Sequence, residues 1–454
     1  LPGSSGDVVV TLTVDPQRAR VYEHGWQSWS PTLAYRLDGR PFRPVSELRR
    51  IGNYRPDRSA PADGFWGEGL LAVDPGTGEG VHVFGASSGA GPIPSIRAKG
   101  RGDRVVVTAD GPVSSAVVEV AEVDDAAGYG ALDHALAHWG DGYAAAAGVG
   151  DLRPPPTAWC SWYHYFENVT QADIEENLVA MGELDLALDV VQIDDGYQAE
   201  LGDWLTLSDR FASLPDIVGR IRDAGRRAGV WVAPFLMGER SAVLRDHPDW
   251  AIGDADPGTG WGQQLSALDV THAGAEAYLR EVFGTLRDVG FDYFKIDFIY
   301  AGAMEGRRAD PSVAGVDAYR HGLRVIRDAI GPEAYLLGCG APILPSVGLV
   351  DAMRVGPDIG HHFEPLDGDL SQPSQRAAAQ NTRWRAWQHG RFWINDSDCL
   401  VAGPHVERRE EWANVVERYG GLRTSSDRLR ALDEWGLRTT RRLLRPGLTT
   451  PFVR

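Results

Sequence analysis

Lysine is nearly missing from this 454-residue chain: only Lys99 and Lys295 occur among 45 cationic side chains, the rest being arginine. Arginine offers a broad, permanently charged fork and lysine a compact ammonium. A lysine kept at the end of an apolar strand therefore marks a place where a compact cation is wanted, with chance survival as the plain alternative. Cysteine is scarce too. Cys160, Cys339 and Cys399 cannot make a disulfide framework and read as free thiols. No apolar run reaches the roughly 18 residues that a membrane-spanning helix needs. Basic charge is in deficit: the net charge is −18 and the isoelectric point is near 5.1. That balance excludes nucleic acid and an anionic membrane surface as main partners. No glycine-rich nucleotide loop and no serine nucleophile elbow appears in a suitable context. No basic-then-apolar leader is visible, which points to the cytoplasm, while a start at Leu1 rather than Met leaves a processed, secreted chain open.

What is plentiful is tryptophan, with 15 residues, several of them in short clusters. Two regions differ in rhythm. Residues 1–150 carry short β-like runs, such as 7–14, 80–84 and 104–108, set apart by Gly, Pro and Asp as in an antiparallel β-sandwich. A helical stretch at 131–139 follows, and 144–156 reads as a linker. From 151 to 454 apolar strands alternate with amphipathic helices. Strands are predicted at 158–162, 189–193, 229–235, 293–296, 335–338, 352–355, 392–395 and, weakly, 422–424. Helical patterns are predicted at 171–184, 214–228, 274–289, 316–330, 374–389, 408–419 and 427–444, with a short crossover at 343–350. Eight such units predict an α/β fold, a (β/α)8 TIM barrel preceded by the sandwich. The competing doubly wound sheet would open on a Gly-rich phosphate turn, which is missing.

In such a barrel the functional side chains project from the carboxyl ends of the strands. Those ends carry Trp162 and Tyr163, Asp194 and Asp195, Trp231, Lys295 and Asp297, Cys339, Arg354 and Asp358. Aromatic faces, carboxylates and a few cations suit a sugar: the C–H faces stack on indole and the hydroxyls take charge-assisted hydrogen bonds. Glycoside cleavage needs one ionised and one protonated carboxyl group flanking the anomeric carbon. Asp297 is the better nucleophile, because Lys295 lies two residues before it on the same strand face and would keep it ionised. Asp358, beyond its strand on a Gly-Pro turn, is the acid/base candidate. On residue chemistry alone the two roles are interchangeable.

Plainer readings stand beside these. An Asp-Asp pair after a strand also serves as a helix cap or a metal site. Asp396 and Asp398 read as caps or as groups behind the site. His361-His362 lacks a third ligand at a recognisable spacing, so no metal is expected. Cys339 is equally at home as a small buried hydrophobe, and Trp204 as packing or as an outer-sugar platform.

The runs WCSWYHYF, QIDDGY, GDWL, GVWVAPF, HPDW, YFKIDF, LGCGAPILPSVG, MRVGPD and FWINDSDCL, in order over residues 157–400, resemble the α-galactosidases of glycoside hydrolase family 36, grouped with family 27 in clan D. Trp26-Gln27-Ser28-Trp29 resembles the family's amino-terminal sandwich loop over the barrel mouth. The resemblance implies a retaining, exo-acting α-galactosidase that works by double displacement on small α-galactosides, without a cofactor. It implies Asp297 as nucleophile and Asp358 as acid/base. It implies Asp194 and Asp195 at the galactose 4- and 6-hydroxyls, Trp231 near the non-reducing end, and Lys295, Cys339 and Arg354 at other hydroxyls. Trp29 would come from the sandwich, and Trp162 and Tyr163 would line the floor. The family's usual carboxyl-terminal β-domain is not recognised in this sequence, and a homo-oligomer stays open. Rival readings are a clan-related galactosyl transglycosylase, a glycosidase for α-N-acetylgalactosaminides or β-L-arabinopyranosides, and a catalytically silent sugar-binding protein.

Overall fold

The computed structural model describes residues 6–120, 129–445 and 447; the sandwich reading at 1–5 and 121–128 lies outside the described residues. Period-2 alternation in the amino-terminal region builds two antiparallel sheets. One has four strands in the order Asp7–Thr13, Arg104–Ala109, Ser95–Arg101, Phe65–Glu68. The other has five, in the order Leu33–Arg36, Arg20–Glu23, Leu70–Asp74, Val81–Gly85, Ser114–Val118. Leu12, Val21, Phe65, Val73, Phe84 and Val107 fill the space between them. The alternate residues Tyr22, Leu70, Ala72 and Val83 join the main core of the molecule instead. The five-stranded sheet thus buries both faces, one against its partner sheet and one towards the barrel.

The helix predicted at 131–139 is longer than its pattern suggested, running Ala131–Ala146 with Tyr143 and Ala144 buried. Its alanines, read as part of a linker, are strong helix formers, and only 147–156 connects to the barrel.

Eight parallel strands form the barrel: Thr157–Cys160, Val190–Ile193, Arg227–Val232, Phe291–Ile296, Tyr335–Gly338, Ala352–Arg354, Ile394–Asp396 and Arg423–Ser425, here strands 1 to 8. Nearly all their residues are buried, as expected for a sheet covered by helices outside and filled within. Closure between strands 7 and 8 is slight: Asp396 bridges Leu422, and Gly421 and Leu422 donate to the Asn395 carbonyl at 2.9 Å. Helices follow at Gln171–Glu183, Leu214–Asp223, Ala273–Val289, Gly315–Ile330, Ile343–Ser346, Gln375–Trp384, Arg409–Tyr419 and Glu434–Leu443. Gly315–Ile330 shows the rule, with Val316, Tyr319, Leu323, Ile326 and Ile330 buried at alternating three- and four-residue spacing. Burying a large apolar side chain of this kind contributes about 1.5–3 kcal/mol.

Boundaries differ from the sequence pattern where chain chemistry intervenes. Strand 3 ends at Val232, because Pro234 has no N–H to continue a ladder. The helix predicted at 214–228 stops at Asp223 before a left-handed Gly225, and strand 3 begins at Arg227. The stretch 427–444 holds one helical turn, Leu429–Ala431, and a helix beginning only at Glu434.

Arg385, fully buried just after the sixth barrel helix, joins the two parts. One nitrogen donates to the carbonyls of Ser28 at 2.6 Å and Val355 at 3.0 Å, another to those of Gln27 at 2.9 Å and Gly25 at 3.2 Å. Burial pushes its pKa down to about 10. Backbone dipoles carry this charge, and the loop 25–30 is held against the barrel. Arg385→Met should therefore lower unfolding free energy by about 2–4 kcal/mol, because several buried carbonyls lose their donor. Urea titration followed by tryptophan fluorescence checks this, and an unchanged midpoint would contradict it.

Candidate active site

A cleft of about 730 Å³ opens at the carboxyl ends of the barrel strands. Of the residues singled out from sequence, Trp29, Trp162, Asp194, Asp195, Trp231, Lys295, Asp297 and Asp358 line it. Tyr163, Cys339 and Arg354 are not among the residues that line it; all three are buried.

Strand pairing explains the first cluster. Trp231 on strand 3 is in register with Lys295 on strand 4, which brings the indole Nε1 to 3.2 Å from Asp297 Oδ2. Lys295 Nζ lies 3.0 Å from Asp194 Oδ2 and 3.9 Å from Asp297 Oδ2. Burial alone would lower the pKa of the lysine. Asp194 and Asp297 more than offset this, and its pKa stands well above the usual lysine value. Asp194 also accepts from Gln192 Nε2 at 2.6 Å, Cys160 Sγ at 3.2 Å and the Asp195 N–H at 2.9 Å. Asp195 accepts from Gln198 Nε2 at 2.5 Å and Trp261 Nε1 at 2.7 Å, and burial raises its carboxyl to about 6 against those two donors.

The second cluster belongs to strands 6 and 7. Asp358 sits 3.2 Å from an Arg354 nitrogen and keeps a third of its side chain open to the cleft. The protein packed around the carboxyl, and then the charge of Asp398, raise it to about 7 against the pull of Arg354. Asp297 is a further negative charge acting on it. The two candidate carboxyls therefore share one electrostatic environment, one beside an ammonium and the other pushed towards its neutral form.

Aromatic rings make one wall. Trp204 packs edge-on against Trp231 at 5.7 Å, Trp231 lies 6.4 Å from Trp261, Trp261 5.0 Å from Phe298, and Phe298 4.9 Å from Trp29. Trp204 is itself only 1% exposed, which resolves it as packing. Among the described residues the Trp29 indole N–H, which is buried, has no partner, although the residue lines the cleft. A Cβ on left-handed Gly340 would come within 2.8 Å of the Trp29 ring and 2.9 Å of the Phe298 nitrogen, so this close approach needs glycine. Phe298, Trp261 and Asp398 all take positive φ, a strained conformation for such residues that the surrounding contacts must hold.

Several lining residues escaped the sequence reading. Arg49 and Asn53 come from a short sandwich helix, and Gln372 from the loop after strand 6. Trp261 belongs to a small sheet of Leu236–Gly238, Gln263–Ala267 and Thr259–Gly260, inserted between strands 3 and 4. Its signal was available: a long connection at the functional end, with an indole between Gly260 and Gly262. Among the described residues no group of three or more His, Cys, Asp or Glu side chains is arranged to hold a metal ion. Among them also, no helix is long and apolar enough to cross a membrane.

Lys295→Met would leave Asp194 and Asp297 buried without their cation, and should cost about 3–5 kcal/mol of stability. Chemical denaturation measures it, and a variant as stable as the parent would show that the ammonium is not what holds the two carboxylates.

Residues 158–321 match a protein-family model described as melibiase, a span that includes Asp194, Asp195, Trp231, Lys295 and Asp297 but stops short of Asp358. The α-galactosidase of Escherichia coli is 30% identical over 148 residues, 29% of this chain and 21% of that protein. The bifunctional α-galactosidase/sucrose kinase AgaSK of Mediterraneibacter gnavus is 30% identical over 103 residues, 21% of this chain and 10% of its own length. The matched stretches thus span about a fifth or less of these curated relatives. Similarity of structure reaches further. TtGalA, an α-galactosidase from Thermus thermophilus solved in complex with p-nitrophenyl α-D-galactopyranoside, is 28% identical with a TM-score of 0.77, covering 95% of this chain and 86% of that one.

Proposed function

We propose that this chain is an α-galactosidase of the family 36 type, an exo-acting glycoside hydrolase that releases terminal α-linked galactose from small oligosaccharides with retention of configuration. The observation that carries the reading is the pair Asp297 and Asp358 in one cleft, the first beside Lys295 and Trp231, the second raised to about 7. Two carboxyl groups whose surroundings separate their protonation states are the requirement for acid-assisted glycoside cleavage.

In this mechanism Asp297 attacks the anomeric carbon while protonated Asp358 gives its proton to the departing glycosidic oxygen. The C–O bond to the leaving sugar breaks as the bond to Asp297 forms. Asp358, now ionised, then takes a proton from water, and the resulting hydroxide equivalent displaces Asp297 with a second inversion. Retention by this route calls for carboxyl groups roughly 5–5.5 Å apart. Lys295 stands 3.9 Å from Asp297 with its positive charge beside the attacking group, and the Trp231 N–H orients one of its oxygens. Asp195, Asp194 and Lys295, which line the same cleft, bind hydroxyls of the galactose. The solution of TtGalA with stachyose is consistent with an oligosaccharide as substrate. Three buried free thiols suit a reducing compartment.

The first test is nitrophenol release from p-nitrophenyl α-D-galactopyranoside, run beside the α-N-acetylgalactosaminide, the α-glucoside and the β-L-arabinopyranoside. Turnover of the galactoside alone supports the reading, and release only from another glycoside, or from none, overturns it. Asp297→Asn should lower kcat by roughly 10³-fold or more, with the folded state intact by circular dichroism. Asp358→Asn should slow a disaccharide by about 10²–10⁴-fold and an activated aryl galactoside far less, since that leaving group needs little proton assistance. Because Asp358 must enter the reaction protonated, kcat/KM should fall as pH rises through about 7. A rate still climbing at pH 8 would rule Asp358 out as the acid.

A further inference from the structure

Strands 6 and 7 lie in register with Arg354 beside Asp396, and the loop beyond strand 7 returns Asp398 to the same guanidinium. Three carboxyl groups therefore contend for one buried cation. Asp398 is 2.7 Å from it, Asp396 is 3.1 Å and Asp358 is 3.2 Å. They are not equally supplied with donors. Asp398 also accepts from the N–H of Cys399 at 2.6 Å, the N–H of Ile359 at 2.8 Å, and the Tyr163 hydroxyl. For the Asp358 carboxyl the donor is Arg354 alone among the described contacts. Asp398 is wholly buried and strained at φ 92°, and its own N–H is tied to Asp396 Oδ1 at 2.9 Å.

We propose that Asp398, with Asp396 behind it, is a positioning residue that keeps the proton on Asp358 by claiming the charge of Arg354 and fixing the backbone at Ile359. The inference rests on Asp358 being the acid of the proposed reaction. The groups around Asp358 are Lys295 and Asp297 from strand 4, Cys339 after strand 5, Arg354 on strand 6, Asp396 and Asp398 from strand 7, and Tyr163 after strand 1. Lys295 and Arg354 favour ionised Asp358; Asp297 and Asp398 oppose it. Burial lifts both Asp358 and Asp398 above the ordinary carboxyl range. With three hydrogen-bond donors besides its ion pair to Arg354, against one donor for Asp358, Asp398 holds the negative charge and the proton goes to Asp358. Tyr163 and Arg354, which do not line the cleft, acquire a role in this arrangement: one supplies Asp398 with a donor, and the other is the cation that Asp398 withholds.

The test is the pH dependence of kcat/KM on an unactivated α-galactosyl disaccharide, whose departing sugar needs the proton of Asp358, followed by galactose release for the parent, Asp398→Asn and Asp396→Asn. Removing either rival carboxylate frees the guanidinium to pair with Asp358, so Asp358 ionises at lower pH. The basic limb of Asp398→Asn should move down by about one unit or more, and Asp396→Asn should move it the same way. The ratio of variant to parent activity should then fall about tenfold between pH 5 and pH 8. A merely structural role would lower activity at every pH and leave the limb in place, and that result overturns the inference. If Asp398→Asn does not fold, the direction of the Asp396→Asn limb decides. A parent that releases no galactose from any α-galactoside overturns the galactosidase reading and this inference with it; a parent that turns over with unmoved limbs in both variants overturns this inference alone.

Discussion

Too few cations for the buried carboxylates is the constraint on which the barrel mouth depends. Asp194, Asp195, Asp297, Asp396 and Asp398 are buried and Asp358 is mostly so, and among the described residues only Lys295 and Arg354 balance them in direct ion pairs. Six charges cannot all be carried in a poorly solvated site, so some carboxyl groups must be neutralised by hydrogen bonds or by protons. The arrangement distributes that deficit unevenly. Asp194 and Asp398 each accept from several donors, while burial raises Asp195 to about 6 and Asp358 to about 7. Lysine suits the first cluster because a compact ammonium fits between Asp194 and Asp297. Arginine suits the second because its fork reaches three partners at once.

Rigidity around this electrostatic centre comes from the sandwich as well as the barrel. Arg385 fixes the loop that carries Trp29, and Ser28 exchanges hydrogen bonds with Ala341, so the indole meets Phe298 and Gly340 at a set distance. The ring series from Trp204 to Trp29 then spans elements from the barrel, its inserted sheet and the sandwich. A ligand seated there would touch both parts of the chain, and displacement of the sandwich loop would open the cleft. Left-handed backbone at Phe298, Trp261 and Asp398 is affordable only because these packed neighbours over-determine it.

Much of this was legible in the sequence. Apolar runs alternating with amphipathic helices predict eight barrel strands, and every one of them forms within a few residues of its expected place. Strand-end position brings seven of the ten residues it singles out to one cleft, and Trp29, expected from the family resemblance, joins them from the sandwich loop. What was not legible is depth. Tyr163, Cys339 and Arg354 occupy the same sequence positions relative to their strands as true lining residues, and only three-dimensional packing leaves them buried and out of the lining. Asp396 and Asp398 resemble caps in sequence because nothing local announces that Arg354, some forty residues earlier, is their partner. Trp261 and Asn53 reach the cleft through an insertion and a separate domain-like sheet region, where strand periodicity carries no information about the barrel mouth.

The most direct measurement of the central claim is proton NMR of the sugar released from p-nitrophenyl α-D-galactopyranoside in the first minutes of reaction, before mutarotation. Attack by Asp297 followed by water on the opposite face requires α-galactose to appear first. β-Galactose as the first product would mean a single displacement by water, and Asp297 would not be the nucleophile.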